Sequence, residues 1–105
     1  MTEEHNLDVL REEIKKITVE IIRLTGRRLS LAKKVGDIKN KRNLPIEDLK
    51  VERELKSIIL EKCKRYDVNS RFGLELLNLL IDEAKRAQEE ILNKEEKQTL
   101  GESVV

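Results

Sequence analysis

The chain has 105 residues, and its 22 basic and 21 acidic side chains give a formal net charge of +1. This length fits one domain, and the balanced charge excludes the strong positive field by which many proteins attract nucleic acid. Tyr66 and Phe72 are its two aromatic residues, so the chain lacks a platform on which bases could stack. No nucleic-acid partner is therefore expected.

The cysteine content and the apolar segments bear on the compartment. Cys63 is the single cysteine, which excludes an intrachain disulfide and a cysteine-rich metal site, and we expect it to be buried on the second helix. The N-terminus is charged from Glu3 onward, and no later segment approaches an apolar membrane span. We expect a cytoplasmic protein that uses no metal or cofactor and contacts no membrane.

Apolar residues at alternating steps of three and four predict one long helix from about Leu7 to Lys41. This heptad seam consists of Leu7, Leu10, Ile14, Ile17, Ile21, Leu24, Leu31, Val35 and Ile38. Gly26 and Gly36 are exceptions that a helix tolerates. Such a helix extends roughly 50 Å, whereas a compact domain of this size has a radius of gyration of about 13 Å. One chain cannot cover the seam, so we predict an intertwined homodimer.

The rest of the chain predicts two more helices, and hence an all-α, three-helix protomer. They run from Ile46 or Glu47 to Arg65 and from about Ser70, with Asn69 as N-cap, to Leu92. Their inner faces are predicted to be Val51, Leu55, Ile58 and Ile59 on the second helix, and Leu77, Leu80, Ala84, Ala87 and Ile91 on the third. Residues 1–92 would form the domain, and residues 93–105 would be a disordered tail, because apolar periodicity ends there.

Arg28 interrupts the heptad seam of the first helix. A guanidinium cannot lose its charge at ordinary pH, so on a packing face it needs an anionic partner or a route to water. A lone arginine of this kind can also be structural, because it can reach water from the seam edge or fix the helix register. Arg28 by itself leaves both explanations open.

Two further cations share the first helix with Arg28. Lys39 follows it by slightly more than three turns, roughly 16 Å along the axis and about 20° around it, so the two side chains could bracket a small dianion. Arg11 lies roughly 25 Å from Arg28 along the helix, too far to grip the same ligand, and would have to come from another subunit. Solvated side chains in ordinary salt bridges are the alternative for Lys39 and Arg11.

Three polar residues on the later helices complete the candidate set. Asp48 and Glu52 share a helix face, although Asp48 could simply stabilise the helix start and Glu52 could pair with Lys56. Gln88 lies beside the apolar stripe of the third helix and offers two amide donors, unless it is an ordinary surface residue. The sequence offers no nucleophile with a base, no His or Cys cluster and no glycine-rich phosphate loop. An enzyme built from these residues would act only by positioning and electrostatics.

Taken together, these residues resemble the all-helical chorismate mutases from about Leu7 to Leu92. The resemblance is carried by the segments 7–14 (LDVLREEI), 27–28 (RR), 31–32 (LA), 35–39 (VGDIK), 44–46 (LPI) and 52–54 (ERE), and by Gln88. It implies conversion of chorismate to prephenate, for phenylalanine and tyrosine biosynthesis, in a dimer whose two sites each borrow an arginine from the neighbouring first helix.

The resemblance also implies a role for each candidate. Arg28 and the neighbour's Arg11 would hold the two carboxylates of chorismate. Lys39 would contact a carboxylate and the ether oxygen, and Gln88 would donate to that oxygen. Asp48 would lie near Lys39 and the substrate, and Glu52 would accept a hydrogen bond from the ring hydroxyl.

Two positions depart from the family pattern. Val51 stands where related enzymes often carry arginine, and Ala84 stands where some carry a serine or asparagine that reaches a substrate carboxylate. We expect an active enzyme with a raised KM, because each loss weakens ground-state binding more than the chemistry. The alternatives to the mutase are an isochorismate pyruvate-lyase of the same fold and a non-catalytic helical dimer.

Overall fold

The computed structural model describes the backbone of residues 3–104 and the side chains of residues 6–94. Three α-helices follow one another: α1 (Glu3–Lys41), α2 (Leu49–Arg65) and α3 (Ser70–Val104), and the described residues contain no strand. The predicted all-α class is therefore confirmed. The backbone of α1 already begins at Glu3, four residues before the predicted start, since neither proline nor glycine precedes Leu7.

The end of α1 is fixed by a left-handed residue. Asn43 has a φ of 54°, and the backbone N–H groups of Leu44 and Asn43 donate to the carbonyls of Lys39 (2.8 Å) and Asn40 (3.2 Å). This pair of bonds is a Schellman motif, which asparagine supports because it tolerates positive φ. Pro45 then prevents the helix from continuing, and the chain reverses beside the last turn of α1.

The start of α2 lies later than the sequence predicts. Asp48 has an extended backbone (φ −132°, ψ 94°), and its side chain accepts a hydrogen bond from the N–H of Val51 at 3.2 Å. Asp48 is thus the N-cap, and α2 begins at Leu49 rather than at Ile46 or Glu47.

The third helix begins as predicted but ends later. Asn69 caps it, since its side-chain oxygen accepts from the N–H of Phe72 at 3.0 Å. The helical backbone passes the predicted end at Leu92 and continues to Val104, through the segment expected to be a disordered tail. Its Lys, Glu and Gln residues favour a helix even where apolar periodicity is lost. The side chains of residues 95–104 and all of Val105 lie outside the described residues, so the proposed domain boundary remains a prediction.

The small core lies along α3, which packs against both α1 and α2. The buried residues among those described are Gly36, Cys63, Gly73, Leu77, Ala87 and Gln88, so the prediction of a buried Cys63 is confirmed. Leu55 and Ile59 are half-buried, but Val51 and Ile58 remain about half exposed within one chain. The predicted inner face of α2 is therefore only partly correct, because α3 covers the side of α2 that runs through Leu55, Ile59 and Cys63.

The molecule is long, with extents of 71 × 31 × 16 Å and a radius of gyration of 19.5 Å, against about 13 Å for a compact domain of this size. The heptad seam is largely uncovered within one chain, as shown by exposed fractions of 62% for Ile14, 61% for Ile17 and 53% for Ile21. None of the helices in the described part of the chain combines the length and apolarity needed to cross a membrane.

Candidate active site

A cavity of about 490 Å³ lies where α3 faces both α1 and α2. In the described part of the chain, α1 and α2 do not pack against each other, which leaves this space between them. The polar lining consists of Arg28, Lys39, Asp48, Glu52, Lys85 and Gln88, and the apolar lining of Leu31, Ala32, Val35, Ile46, Val51, Leu55, Ile81 and Ala84. The residues singled out from the sequence, with the exception of Arg11, thus meet in one pocket.

Arg28 projects from the seam of α1 towards α3. Its Nη1 donates to the backbone carbonyl of Leu80 at 3.0 Å, and the side chain is partly buried. A guanidinium has five N–H donors, so this bond holds the group while leaving donors for a ligand. Among the described residues, Arg28 has no carboxylate partner. The charge of this seam arginine therefore faces the pocket and is not neutralised by an ion pair within the described part of the chain.

Lys39 is held in a similar way at the other end of the pocket. The Schellman turn brings the next segment back over α1, and Nζ of Lys39 donates to the carbonyl of Ile46 at 2.6 Å. No carboxylate of the described residues pairs with this ammonium. Two cations, Arg28 and Lys39, thus line a largely apolar cavity with their charges uncompensated by direct ion pairs, which favours an anionic ligand.

Gln88 is 7% exposed and belongs to the buried face of α3. Its Nε2 donates to the carbonyl of Ala32 on α1 at 2.9 Å, which ties the amide across the two helices. An amide group carries two N–H donors, so one remains for a ligand in the pocket. The alternative of an ordinary surface glutamine is excluded.

The two carboxylates on α2 have different surroundings. Asp48 is exposed and caps the helix, so the structural role considered for it is real, and it lines the pocket as well. Glu52 is not paired with Lys56. Its Oε1 accepts from Nζ of Lys85 at 3.3 Å, and its Oε2 is buried without a hydrogen-bond partner.

Lys85 is the polar pocket residue that the sequence reasoning missed. Its Nζ contacts Oε1 of Glu47 at 3.2 Å as well as Oε1 of Glu52. The hydrogen bond to Glu47 raises the pKa of Lys85 above its usual value of 10.5, with a further contribution from the bond to Glu52. The signal that would have found it is the stripe Ile81, Ala84, Lys85 and Gln88, which follows the i, i+3, i+4, i+7 pattern of one helix face.

The remaining predicted residues divide between the pocket wall and the outside. Val51 and Ala84 line the pocket and offer it no side-chain hydrogen bond. Arg11 lies on the exposed first part of α1, outside this pocket. A single chain therefore brings together every predicted site residue except the one that was expected from another subunit.

Residues 10–89 match the family described as chorismate mutase type II. The chain is also similar to a chorismate mutase of Methanocaldococcus jannaschii, with 34% identity over 83 residues that cover 79% of this chain and 84% of the relative. The match thus spans both proteins over most of their length.

Two bifunctional chorismate mutase/prephenate dehydratases are similar as well. That of Aquifex aeolicus is 50% identical over 58 residues, which cover 55% of this chain and 16% of the relative. That of Escherichia coli K12 is 28% identical over 92 residues, which cover 88% of this chain and 24% of the relative. The matched region is therefore at most about a quarter of these two longer proteins.

Proposed function

This chain belongs to the chorismate mutase type II family, and on that premise we propose that its pocket is where chorismate rearranges to prephenate. The observation that carries the proposal is the pairing of Arg28 and Lys39 in one apolar cavity. Each is held by a backbone carbonyl, and neither has a carboxylate partner among the described residues. Such a site lacks negative charge beside its two cations, and chorismate supplies it with two carboxylates.

The reaction breaks the ether C–O bond of chorismate and forms a C–C bond between the enolpyruvyl group and the ring. No proton is transferred and no group leaves, so the enzyme needs neither a base nor a nucleophile. Negative charge develops on the ether oxygen as its bond to the ring breaks. Donors that meet this oxygen in the transition state lower the barrier. We assign that role to the ammonium of Lys39 and the amide of Gln88.

Positioning is the second contribution. The enolpyruvyl group must be held over the ring, and Arg28 can bind a carboxylate with two parallel hydrogen bonds. Glu52 would accept from the ring hydroxyl, a role supported by its place in the pocket lining and by the absence of a donor to its Oε2 among the described residues. Asp48, which also caps α2, would lie beside Lys39 and the substrate. Ala84 would contact the substrate only by its backbone or leave space for water.

We further propose that the working unit is a homodimer in which each pocket receives Arg11 from the neighbouring α1. The half-exposed seam side chains support this assembly. Burying the remaining half of a Leu or Ile side chain contributes roughly 1 kcal/mol, and Leu7, Leu10, Ile14, Ile17, Ile21 and Leu24 are each at least 45% exposed. An unpaired face of this length is typical of a helix that packs against another copy.

The product would enter phenylalanine and tyrosine biosynthesis, a role consistent with relatives in which a chorismate mutase and a prephenate dehydratase share one chain. We keep the expectation of a cytoplasmic location as part of the proposal. Its support is the single buried Cys63, which suits a reducing compartment.

The direct test is loss of chorismate absorbance, with prephenate identified in the product and the Arg28→Ala variant assayed beside the natural protein. We expect turnover that the substitution abolishes while the helical circular dichroism persists. Pyruvate release from isochorismate, without turnover of chorismate, would identify a lyase instead. No turnover of either substrate would identify a non-catalytic dimer.

Arg11 is tested by mixing two inactive variants. In a mixed dimer of Arg11→Ala and Arg28→Ala chains, one site has both arginines and the other has neither. Random mixing gives half mixed dimers, so about a quarter of the natural activity should return, provided that subunits exchange. Mixtures that stay inactive although mass spectrometry shows mixed dimers would contradict a shared site.

A further inference from the structure

Lys85 lies between the pocket residue Glu52 and the exposed Glu47. Its ammonium lies 3.2 Å from Oε1 of Glu47 and 3.3 Å from Oε1 of Glu52. The exposed fractions of the side chains fall from 60% for Glu47 to 29% for Lys85 and 25% for Glu52. The triad thus runs from solvent to the pocket wall, with the lysine between the two acids.

The two oxygens of Glu52 are in unequal surroundings. Oε1 contacts Lys85, whereas Oε2 is buried and has no hydrogen-bond partner. An unmade bond at a buried acceptor is unfavourable, so without a tether the carboxylate would be expected to turn towards water. The ammonium of Lys85 opposes this rotation, because it fixes Oε1 while Oε2 keeps its buried place without a donor among the described residues.

Lys85 is poorly suited to bind the substrate directly. It lies between two carboxylates, and the three groups together carry a net charge of about −1 when all are ionised. A substrate carboxylate would have to displace one of these acids. Arg28 and Lys39, by contrast, bond only to carbonyls among the described residues.

We propose that Lys85 is a positioning residue that acts on the reaction through Glu52. It holds the Glu52 carboxylate in the pocket lining, where this carboxylate can accept a hydrogen bond from the ring hydroxyl of chorismate. This inference rests on the proposed function, in which Glu52 is that acceptor.

The test compares three substitutions by steady-state kinetics. Lys85→Met keeps the length of the side chain but removes its charge and donors, and should lower kcat/KM about tenfold. Lys85→Arg keeps the positive charge and the N–H donors, and its kcat/KM should be close to that of the natural protein. Glu47→Gln is the matched control, because it weakens the exposed contact of the same ammonium, and it should leave kcat/KM within about twofold. Circular dichroism and thermal unfolding verify the fold, and Lys85→Gln replaces the methionine variant if that one does not fold.

A double-mutant cycle with Glu52→Gln separates positioning from other roles. If Lys85 acts through Glu52, Lys85→Met should have little further effect in the Glu52→Gln background, and both single variants should divide their losses alike between kcat and KM. A full additional loss in that background would overturn the proposal, as would an unchanged kcat/KM in Lys85→Met beside an impaired Glu52→Gln. If Glu52→Gln is itself fully active, the proposed role of Glu52 is wrong, and the inference about Lys85 is wrong with it.

Discussion

A Cβ atom placed on Gly36 would stand 2.7 Å from Cγ of Gln88, closer than side-chain atoms normally approach. The same atom would lie 3.2 Å from Cβ and 3.5 Å from Cα of Gln88. The crowding therefore involves the base of the Gln88 side chain, which cannot simply swing away. The missing side chain on α1 lets α3 come close enough for Gln88 to bond Ala32 and face the pocket.

We predict that Gly36→Ala lowers kcat at least tenfold, because the added methyl group would displace the amide of Gln88 from its proposed place beside the ether oxygen. Gly26→Ala is the matched control, since a Cβ there meets nothing within 4 Å. Both changes should raise the free energy of unfolding by up to about 1 kcal/mol, because alanine favours a helix over glycine. At Gly36 the steric overpacking should cost about 1–3 kcal/mol and cancel that gain. Kinetics and thermal unfolding of the two variants provide the check. Natural kcat in Gly36→Ala would show that the contact does not position Gln88.

This pair of residues also shows what the sequence could and could not predict. Helical periodicity and the break before Pro45 predict three helices, because these signals are local. The seam also identifies Arg28, since an arginine in a row of apolar residues is visible without a structure. The sequence alone does not distinguish Gly36 from Gly26, because the distinction depends on which residue of α3 lies opposite.

Lys85 was missed for the same reason. Its partners, Glu47 and Glu52, lie 38 and 33 residues away along the chain, so local spacing does not indicate the triad. Spacing along the helix instead indicates Lys56, one turn away, as the alternative partner of Glu52. Local charge spacing suggests partners on the same helix, whereas the actual partner comes from another helix through tertiary packing.

A second prediction concerns the pH dependence that Gln88 confers. The amide does not titrate, so it should not make activity fall between about pH 6 and pH 8. In Gln88→Glu the protonated acid can donate to the ether oxygen, whereas the carboxylate cannot and repels its developing charge. Activity of that variant should therefore fall as pH rises through the pKa of the new carboxyl group, which burial shifts upward. Profiles of kcat/KM for both proteins test this, and a flat profile in Gln88→Glu would count against Gln88 as the donor.

A third prediction concerns substrate affinity. Val51 lines the pocket and is 46% exposed, so an arginine there has room to reach a carboxylate of the substrate. Val51→Arg should lower KM about tenfold with little change in kcat, because the new contact forms in the ground state and the transition state alike. Ser57→Arg, which adds the same charge at an exposed α2 residue outside the pocket lining, should leave KM unchanged. Equal KM values for the natural protein and Val51→Arg would refute the idea that Val51 weakens binding.

The last prediction concerns stability in acid. The hydrogen bond from Arg86 lowers the pKa of Glu83 below its usual 4.5. A lowered acid pKa stabilises the fold at pH values above the unfolded pKa, and this stabilisation is lost as pH falls through the folded pKa. The free energy of unfolding should therefore decrease below about pH 4.5, and less steeply in Glu83→Gln. Glu89→Gln is the control, because the described residues give Glu89 no cationic partner. The test is urea unfolding of the three proteins from pH 7 to pH 3. The same decrease in the free energy of unfolding in Glu83→Gln and in the natural protein would contradict the prediction.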